Sequence, residues 1–269
     1  MAGSAYREAM AVRVMGIVNV TPDSFSGDGT LAAEPEGHRR AVERGLAMAG
    51  AGAAIVDVGG ESTRPGHTPV PVEEELRRAI PVVEALAARG LEVSIDTWKA
   101  EVAEAALQAG ARIVNDVWGL RRSPEIAELA ARHGAGLVLM HNQEGTKYAR
   151  DLVVEVRERL AESAGLARRA GVPAERILVD PGIGFGKTPS QNVMLLRRLG
   201  ELRELGYPLL VGASRKSLLG RVFGQEGERR VWGTAALVAV SVLRGADVIR
   251  VHDVPEMLAV ARVAEAFRP

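Results

Sequence analysis

The residues of this chain that could do chemistry do not scatter; each stands where a short apolar run stops. Asn19 closes one run, Asp57 another, with Glu61, Thr63 and Arg64 just beyond it. Asp96, Asn115-Asp116, Met140-His141 and Asp180 close the next four. Ser214-Arg215-Lys216 and Arg250 with His252 and Asp253 close the last two. Asp96, Asn115 and Asp180 together would form a receptor for a flat polar heterocycle, since carboxylates accept from ring N–H groups and an amide can both donate and accept. Any one of them alone could equally cap a helix or a turn. Arg250 and His252 are two residues apart, hence on one face of a strand, and a guanidinium suits bidentate capture of phosphoryl oxygens. Arg215 and Lys216 add cations beside them, whose bland alternative is solvated surface charge. Asn19 opens a loop carrying Asp23 and Asp28; were a diphosphate nearby, a hard divalent cation held through oxygen would be expected there, with Asn19 as its ligand. Asn19 as a turn cap and Phe25 as a packed anchor is the competing reading.

The stretch DPGIGFGKT at 180–188 has the outline of a phosphate-cradling loop. The Walker pattern, however, places its first glycine at position 181, which is Pro181. Proline supplies neither the amide donor nor the left-handed backbone that such a loop needs, so a nucleotide site is not expected. His38, His67, His133 and His141 show no zinc-ligand spacing. Met140 would supply a polarisable contact to a bound ring, or simply fill the core.

The elements that must position these groups can be read from hydrophobic pattern. Near-continuous apolar runs lie at 11–19, 54–58, 91–96, 111–115, 136–140, 177–180, 208–211 and 247–251, suited to strands covered on both faces. Helix-like stretches rich in Ala, Leu, Glu and Arg fall between them, near 35–50, 73–89, 98–109, 124–133, 151–170, 190–205, 228–244 and 255–267. In the fifth, Leu152, Val156 and Leu160 line one face. Gly90, Gly110, Gly134, Gly171 and Gly206 punctuate helix ends. Eight alternations with short connections predict a (β/α)8 TIM barrel forming a single domain over 1–269, with its core at about 12–267. The longest stretches without an element, 21–33 and 59–72, are expected to be mobile loops. In such a barrel every polar group named above meets at one mouth.

Composition narrows the remaining classes. The chain has 34 Lys plus Arg against 34 Asp plus Glu, so no basic surplus points to nucleic acid. Cysteine is absent, which excludes a disulfide framework, a cysteine nucleophile and a zinc-thiolate site. No secretory leader pattern or long apolar span stands out, which leads to the expectation of a cytoplasmic protein without membrane contact.

Six separated runs resemble one family. They are MGIVNVTPDSFSGDG (15–29), VDVGGESTRPG (56–66), SIDTWKAEVAEAALQAGARIVNDVWG (94–119), DPGIGFGKT, VGASRKSLLG (211–220) and VIRVHDV (248–254), and in this order they are similar to the dihydropteroate synthases. The resemblance implies condensation of 6-hydroxymethyl-7,8-dihydropterin diphosphate with 4-aminobenzoate to 7,8-dihydropteroate and diphosphate, a folate-biosynthetic step assisted by Mg2+. It implies a pterin pocket of Asp96, Asn115, Met140, Asp180, Phe185 and Lys216, and an aminobenzoate side formed by Thr63, Arg64, Phe185, Lys216 and Ser217. It implies diphosphate at Asn19, Thr63, Arg64, Arg250 and His252, with Mg2+ at Asn19, and support of the second loop's base by Asp57. Asp28, Lys216, Arg250 and His252 would act in catalysis; between Asp28 and Asp23 as the group that stabilises the cation, the sequence leaves the choice open. The family implies a homodimer through outer helices near the C-terminal end, and the apolar helix around 232–243 has surface to spare for it. A corrinoid-linked pterin methyltransferase or a binding-only pterin protein would share the barrel and the Asp-Asn-Asp pocket, but would not need Arg250, His252 and the Ser-Arg-Lys run.

Overall fold

The computed structural model describes residues 12–21, 36–62, 69–212, 214, 216, 224 and 230–268. Strands and helices alternate along it: β1 (Arg13–Asn19), α1 (Glu36–Gly50), β2 (Ile55–Gly59), α2 (Val72–Ala87), β3 (Val93–Asp96), α3 (Ala100–Gln108), β4 (Ile113–Asp116) and α4 (Ile126–His133). The second half continues with β5 (Gly136–Met140), α5 (Leu152–Arg169), β6 (Ile177–Asp180), α6 (Pro189–Arg197), β7 (Leu210–Val211), α7 (Arg230–Leu243), β8 (Val248–Val251) and α8 (Val254–Glu265). All strand pairs are parallel and run β6-β5-β4-β3-β2-β1-β8-β7. A parallel bridge between Val179 and Leu209 brings β6 back to the start of β7 and closes the ring. The expected (β/α)8 barrel is what the chain forms.

Side-chain alternation sorts the strands into two cores. Val14, Val18, Val56, Val58, Ile95, Val114, Leu137, Leu139, Val179 and Ile249 face outward and are buried under the helices. Met15, Ile55, Ile113, Val138, Leu210 and Val248 face inward and plug the barrel. Both faces of each strand are dry, which is why the sequence shows apolar runs rather than alternation. On α5, Leu152, Val156 and Leu160 are buried as their spacing predicts. The five glycines expected at helix ends all have positive φ, and Gly134 is itself the left-handed cap of α4, donating back to Ala130 and Ala131. The sixth helical stretch is shorter than its sequence suggests: α6 stops at Arg197 and continues as a 3-10 turn, Leu199–Leu205. Of the two expected mobile loops, 22–33 and 63–68 lie outside the described residues.

Candidate active site

One step of two residues along most of the inward-facing rows changes the chemistry from apolar to polar or charged. Ile55 leads to Asp57, Ser94 to Asp96, Ile113 to Asn115, Leu178 to Asp180 and Val248 to Arg250, while Val138 leads to Met140. Strand register aligns these ends, with Asp96 opposite Asn115 and Met140 opposite Asp180. The apolar layer is thus the floor of a polar mouth at the C-terminal ends of the strands.

Arg250 organises this mouth. Its Nε donates to Asp57 Oδ2 at 2.6 Å and its Nη2 to Asp96 Oδ2 at 2.5 Å. Asn115 Nδ2 donates to the same Asp57 oxygen at 3.0 Å. Asp57 therefore lies inside the barrel, tying β2 to β4 and β8 just before the second loop departs. The described flanks of the second loop are held together by Lys99, which is buried and pairs with Glu61, with Glu75 at 2.6 Å and with the Val70 carbonyl at 2.7 Å. The remaining oxygens of the two aspartates, Asp57 Oδ1 and Asp96 Oδ1, are buried and accept no hydrogen bond from the described residues. Leaving such acceptors dry and unmatched costs stability, so the arrangement favours a ligand with N–H donors.

Asp180, on the far side, receives the Gly182 amide on Oδ1 at 2.7 Å. A cavity between these groups is lined by Asn115, Val117, Met140, Asp180, Ile183, Phe185, Gly212, Lys216 and Arg250. Lys216 Nζ sits 4.2 Å from the centroid of the Phe185 ring, a cation resting on an aromatic face. Toward the rim, Ser214 Oγ lies 2.9 Å from His252 Nδ1 and accepts from the His252 backbone amide at 3.2 Å. Asn19 ends β1 in register with Gly59, at the same end of the barrel.

Burial dominates the electrostatics. It pushes the Asp96 carboxyl up to about 7, against the pull of Arg250 and with the help of neighbouring Asp57. It raises Asp180 as well, opposed by the Gly182 amide and by Lys216. Burial alone would lower Arg250, but the Asp57 and Asp96 carboxylates hold its guanidinium above the ordinary range and keep it charged. The mouth is a desolvated, charge-rich receptor in which a small change of partner shifts protons.

The structure thus brings together Asp96, Asn115, Met140, Asp180, Phe185, Lys216 and Arg250, with His252 and Asn19 at the same barrel end. Asp23, Asp28, Thr63, Arg64 and Ser217 lie outside the described residues. A more spacious concavity between Gly90 and Arg112 lies at the opposite end, lined by Glu84, Glu92 and several alanines. It lacks the converging buried donors and acceptors of the mouth. Sequence reasoning missed the Lys99 cluster, the Ser214–His252 contact and the inward turn of Lys187, described below; it did place Ser214 and His252 at the ends of the last two apolar runs, which is the signal for their contact.

Comparison with known proteins agrees with this geometry. The family model described as pterin binding enzyme matches residues 15–252. The chain is 47% identical over 263 residues to the dihydropteroate synthase of Synechocystis sp., covering 94% of this chain and 89% of that one. It is 43% identical to that of Bacillus subtilis, covering 94% and 88%. The chain belongs to the dihydropteroate synthase family. A dihydropteroate synthase from Clostridium difficile, solved in the presence of pteroic acid, superimposes with a TM-score of 0.90 at 45% identity, covering 96% of this chain and 98% of that one. One from Xanthomonas albilineans, solved with 4-aminobenzoic acid, gives a TM-score of 0.87 at 47% identity, covering 96% and 93%. As a dihydropteroate synthase the chain is a transferase of folate biosynthesis, and the methyl-transfer and binding-only alternatives give way to it. Among the described residues no helix is long and apolar enough to cross a membrane.

Proposed function

We propose that the polar mouth binds 6-hydroxymethyl-7,8-dihydropterin diphosphate through Asp96, Asn115 and Asp180 and joins its methylene carbon to the amine of 4-aminobenzoate. The buried, unmatched Oδ1 of Asp96, whose other oxygen holds the Arg250 guanidinium that lines the pocket with Asn115 and Asp180, carries this reading. A pterin offers ring N–H and amino donors to the carboxylates and a carbonyl to Lys216, while Met140 packs against its face. Phe185, Lys216, Ser217, Thr63 and Arg64 form the aminobenzoate side.

The reaction forms a C–N bond, breaks the C–O bond to diphosphate and releases one amine proton. An aromatic amine is already a nucleophile, so the barrier lies in expelling the diphosphate. Arg250 and His252, with Asn19, Thr63 and Arg64, gain most as charge builds on that leaving group, which is stabilisation specific to the transition state. Because the dihydropterin shares positive charge at the methylene, the step is SN1-like, with Asp28 or Asp23 shielding the cation. Ser214 supports His252: its oxygen accepts from the His252 amide and stands 2.9 Å from Nδ1, which orients the ring, and with its proton on Nε2 the imidazole would donate to phosphate.

Mg2+ is part of this reading, with Asn19, a neutral, hard oxygen donor at the end of β1, as its protein ligand. Such an ion would be held by Asn19 and otherwise by substrate oxygens and water, and would neutralise charge on the diphosphate. The same reading makes the protein a homodimer. Trp232 on α7 is 75% exposed, Val263 on α8 63% and Phe267 just beyond α8 74%, and α7 and α8 pack side by side. No nucleic-acid or membrane partner is part of this reading, and a cytoplasmic location is.

Incubation with dihydropterin diphosphate, Mg2+ and 4-aminobenzoate, with dihydropteroate and diphosphate measured together, tests it. Equal amounts of both are expected; pterin binding without either product would sink the catalytic assignment.

A further inference from the structure

The one lysine of DPGIGFGKT that suggested phosphate does not reach the mouth. Lys187 is 8% exposed, and its Nζ turns back into the loop that carries it. It donates to the Gly182 carbonyl at 3.1 Å and the Phe185 carbonyl at 2.9 Å, and lies 3.0 Å from His141 Nδ1 at the end of β5. The His141 carbonyl is a fourth acceptor at 3.5 Å, so all three N–H bonds of the ammonium are met; burial pushes the Lys187 pKa down to about 7, against the pull of Asp180. For His141 to accept, its ring must be neutral with the proton on Nε2; burial and the neighbouring Lys187 charge push its pKa down to about 3, consistent with that state.

What those contacts fix are the loop's hold on Asp180 and one of its pocket-lining side chains. Gly182 is the residue whose amide binds Asp180 Oδ1 at 2.7 Å, and Phe185 is the ring under Lys216. The fit leaves no slack: a Cβ on Gly182 would stand 1.9 Å from the His141 carbonyl oxygen. Asn192 from α6 holds the outer side through the Gly184 amide at 2.7 Å, and Tyr148 donates to the Gly186 carbonyl at 2.9 Å. The groups facing Lys187 are therefore His141 from β5, Asp180 from β6 and Lys216 after β7.

We propose that Lys187 is a positioning residue for the reaction, an internal staple that sets the Asp180 carboxylate and the Phe185 ring at their working separation across the pocket. This deepens the reading given under Proposed function and rests on it. Nothing in the proposal gives Lys187 contact with substrate.

Lys187→Met keeps the unbranched stem of the side chain, one atom shorter, and removes every donor. Steady-state kinetics well below the melting temperature should show kcat/KM falling by about tenfold to a hundredfold, since a displacement near 1 Å at a reacting site has that effect. The loss should appear in KM for the pterin substrate together with kcat. Tyr148→Phe, which loosens the same loop without touching Nζ, should lower the melting temperature and leave both constants unchanged. If Met at 187 gives no folded protein, His141→Phe removes one acceptor, keeps a ring against Tyr148 and should produce the same pattern in smaller degree. Unchanged kinetics in the folded variant, with only a lower melting temperature, would overturn the proposal. Asp180→Asn run in parallel separates the two ideas: if it too leaves the pterin KM unchanged, the pterin assignment of the site has failed, not the staple alone.

Discussion

Asp180 already commits one oxygen to the Gly182 amide, which leaves the other open to the pterin in the proposed reading. Asp180→Asn keeps that internal contact but replaces an acceptor and a full charge by an amide. Charge-assisted hydrogen bonds contribute about 1.5–3 kcal/mol, so kcat/KM for the pterin substrate should fall about ten- to a hundredfold, measurable by initial rates at limiting pterin. His141 yields a prediction of a different kind. Its folded pKa, pushed down to about 3 from an ordinary 6.5, means that the folded state refuses a proton the unfolded chain takes up. The stability it contributes is complete above about pH 6.5 and is lost as pH falls toward 3. Between pH 7 and pH 5 the wild-type melting temperature should drop more than that of His141→Phe; parallel slopes in thermal scans would contradict the assignment. Which residues could be read from sequence follows from distance. Asp96, Asn115, Asp180 and Arg250 announce themselves by standing at the ends of apolar runs. The roles of Lys187, Lys99 and Asp57 depend on partners 46, 38 and 193 positions away, and no local pattern encodes those.

At the level of elements, the loop after β6 shows how backbone geometry and chemistry are joined. Gly182 has φ of 70° and abuts the His141 carbonyl, so a side chain there meets both a strained backbone and a collision with main-chain atoms that cannot step aside. Gly182→Ala should displace the loop and reduce kcat/KM by at least about a hundredfold, and it should do so even in protein whose far-ultraviolet circular dichroism is unchanged. The following helix starts cleanly because Thr188 and Gln191 form a reciprocal capping box, with Pro189 at the first position. Element order was fully legible, since eight doubly covered strands leave eight apolar runs. Boundaries were legible where glycine stops a helix, as at Gly134. They were less so at 190–205, where a uniform Leu, Arg and Glu pattern serves an α-helix and a 3-10 turn alike.

For the molecule as a whole, the balance of 34 acidic and 34 basic residues leaves no long-range field to attract an anionic diphosphate, so capture must come from the charges concentrated at the mouth. Among the described residues the most exposed large apolar side chains, Trp232, Val263 and Phe267, lie on or beside α7 and α8. Placing glutamate at both Trp232 and Phe267 should convert a dimer into a monomer in sedimentation analysis without altering the far-ultraviolet spectrum. A wild-type protein that sediments as a monomer would remove that face as an interface. The ring of strands is also unequal around its circumference. Seven of its eight joins are ladders, while β7 contributes only Leu210 and Val211 and reaches β6 through the Val179–Leu209 bridge among the described residues. Widening the barrel at that seam breaks fewer interstrand hydrogen bonds than at any other join described. Asp180 stands on one bank of it and Gly212 with Lys216 on the other, so thermal breathing there changes the aperture of the pocket itself, and a bound pterin spanning both banks would act as the missing rung of the ladder.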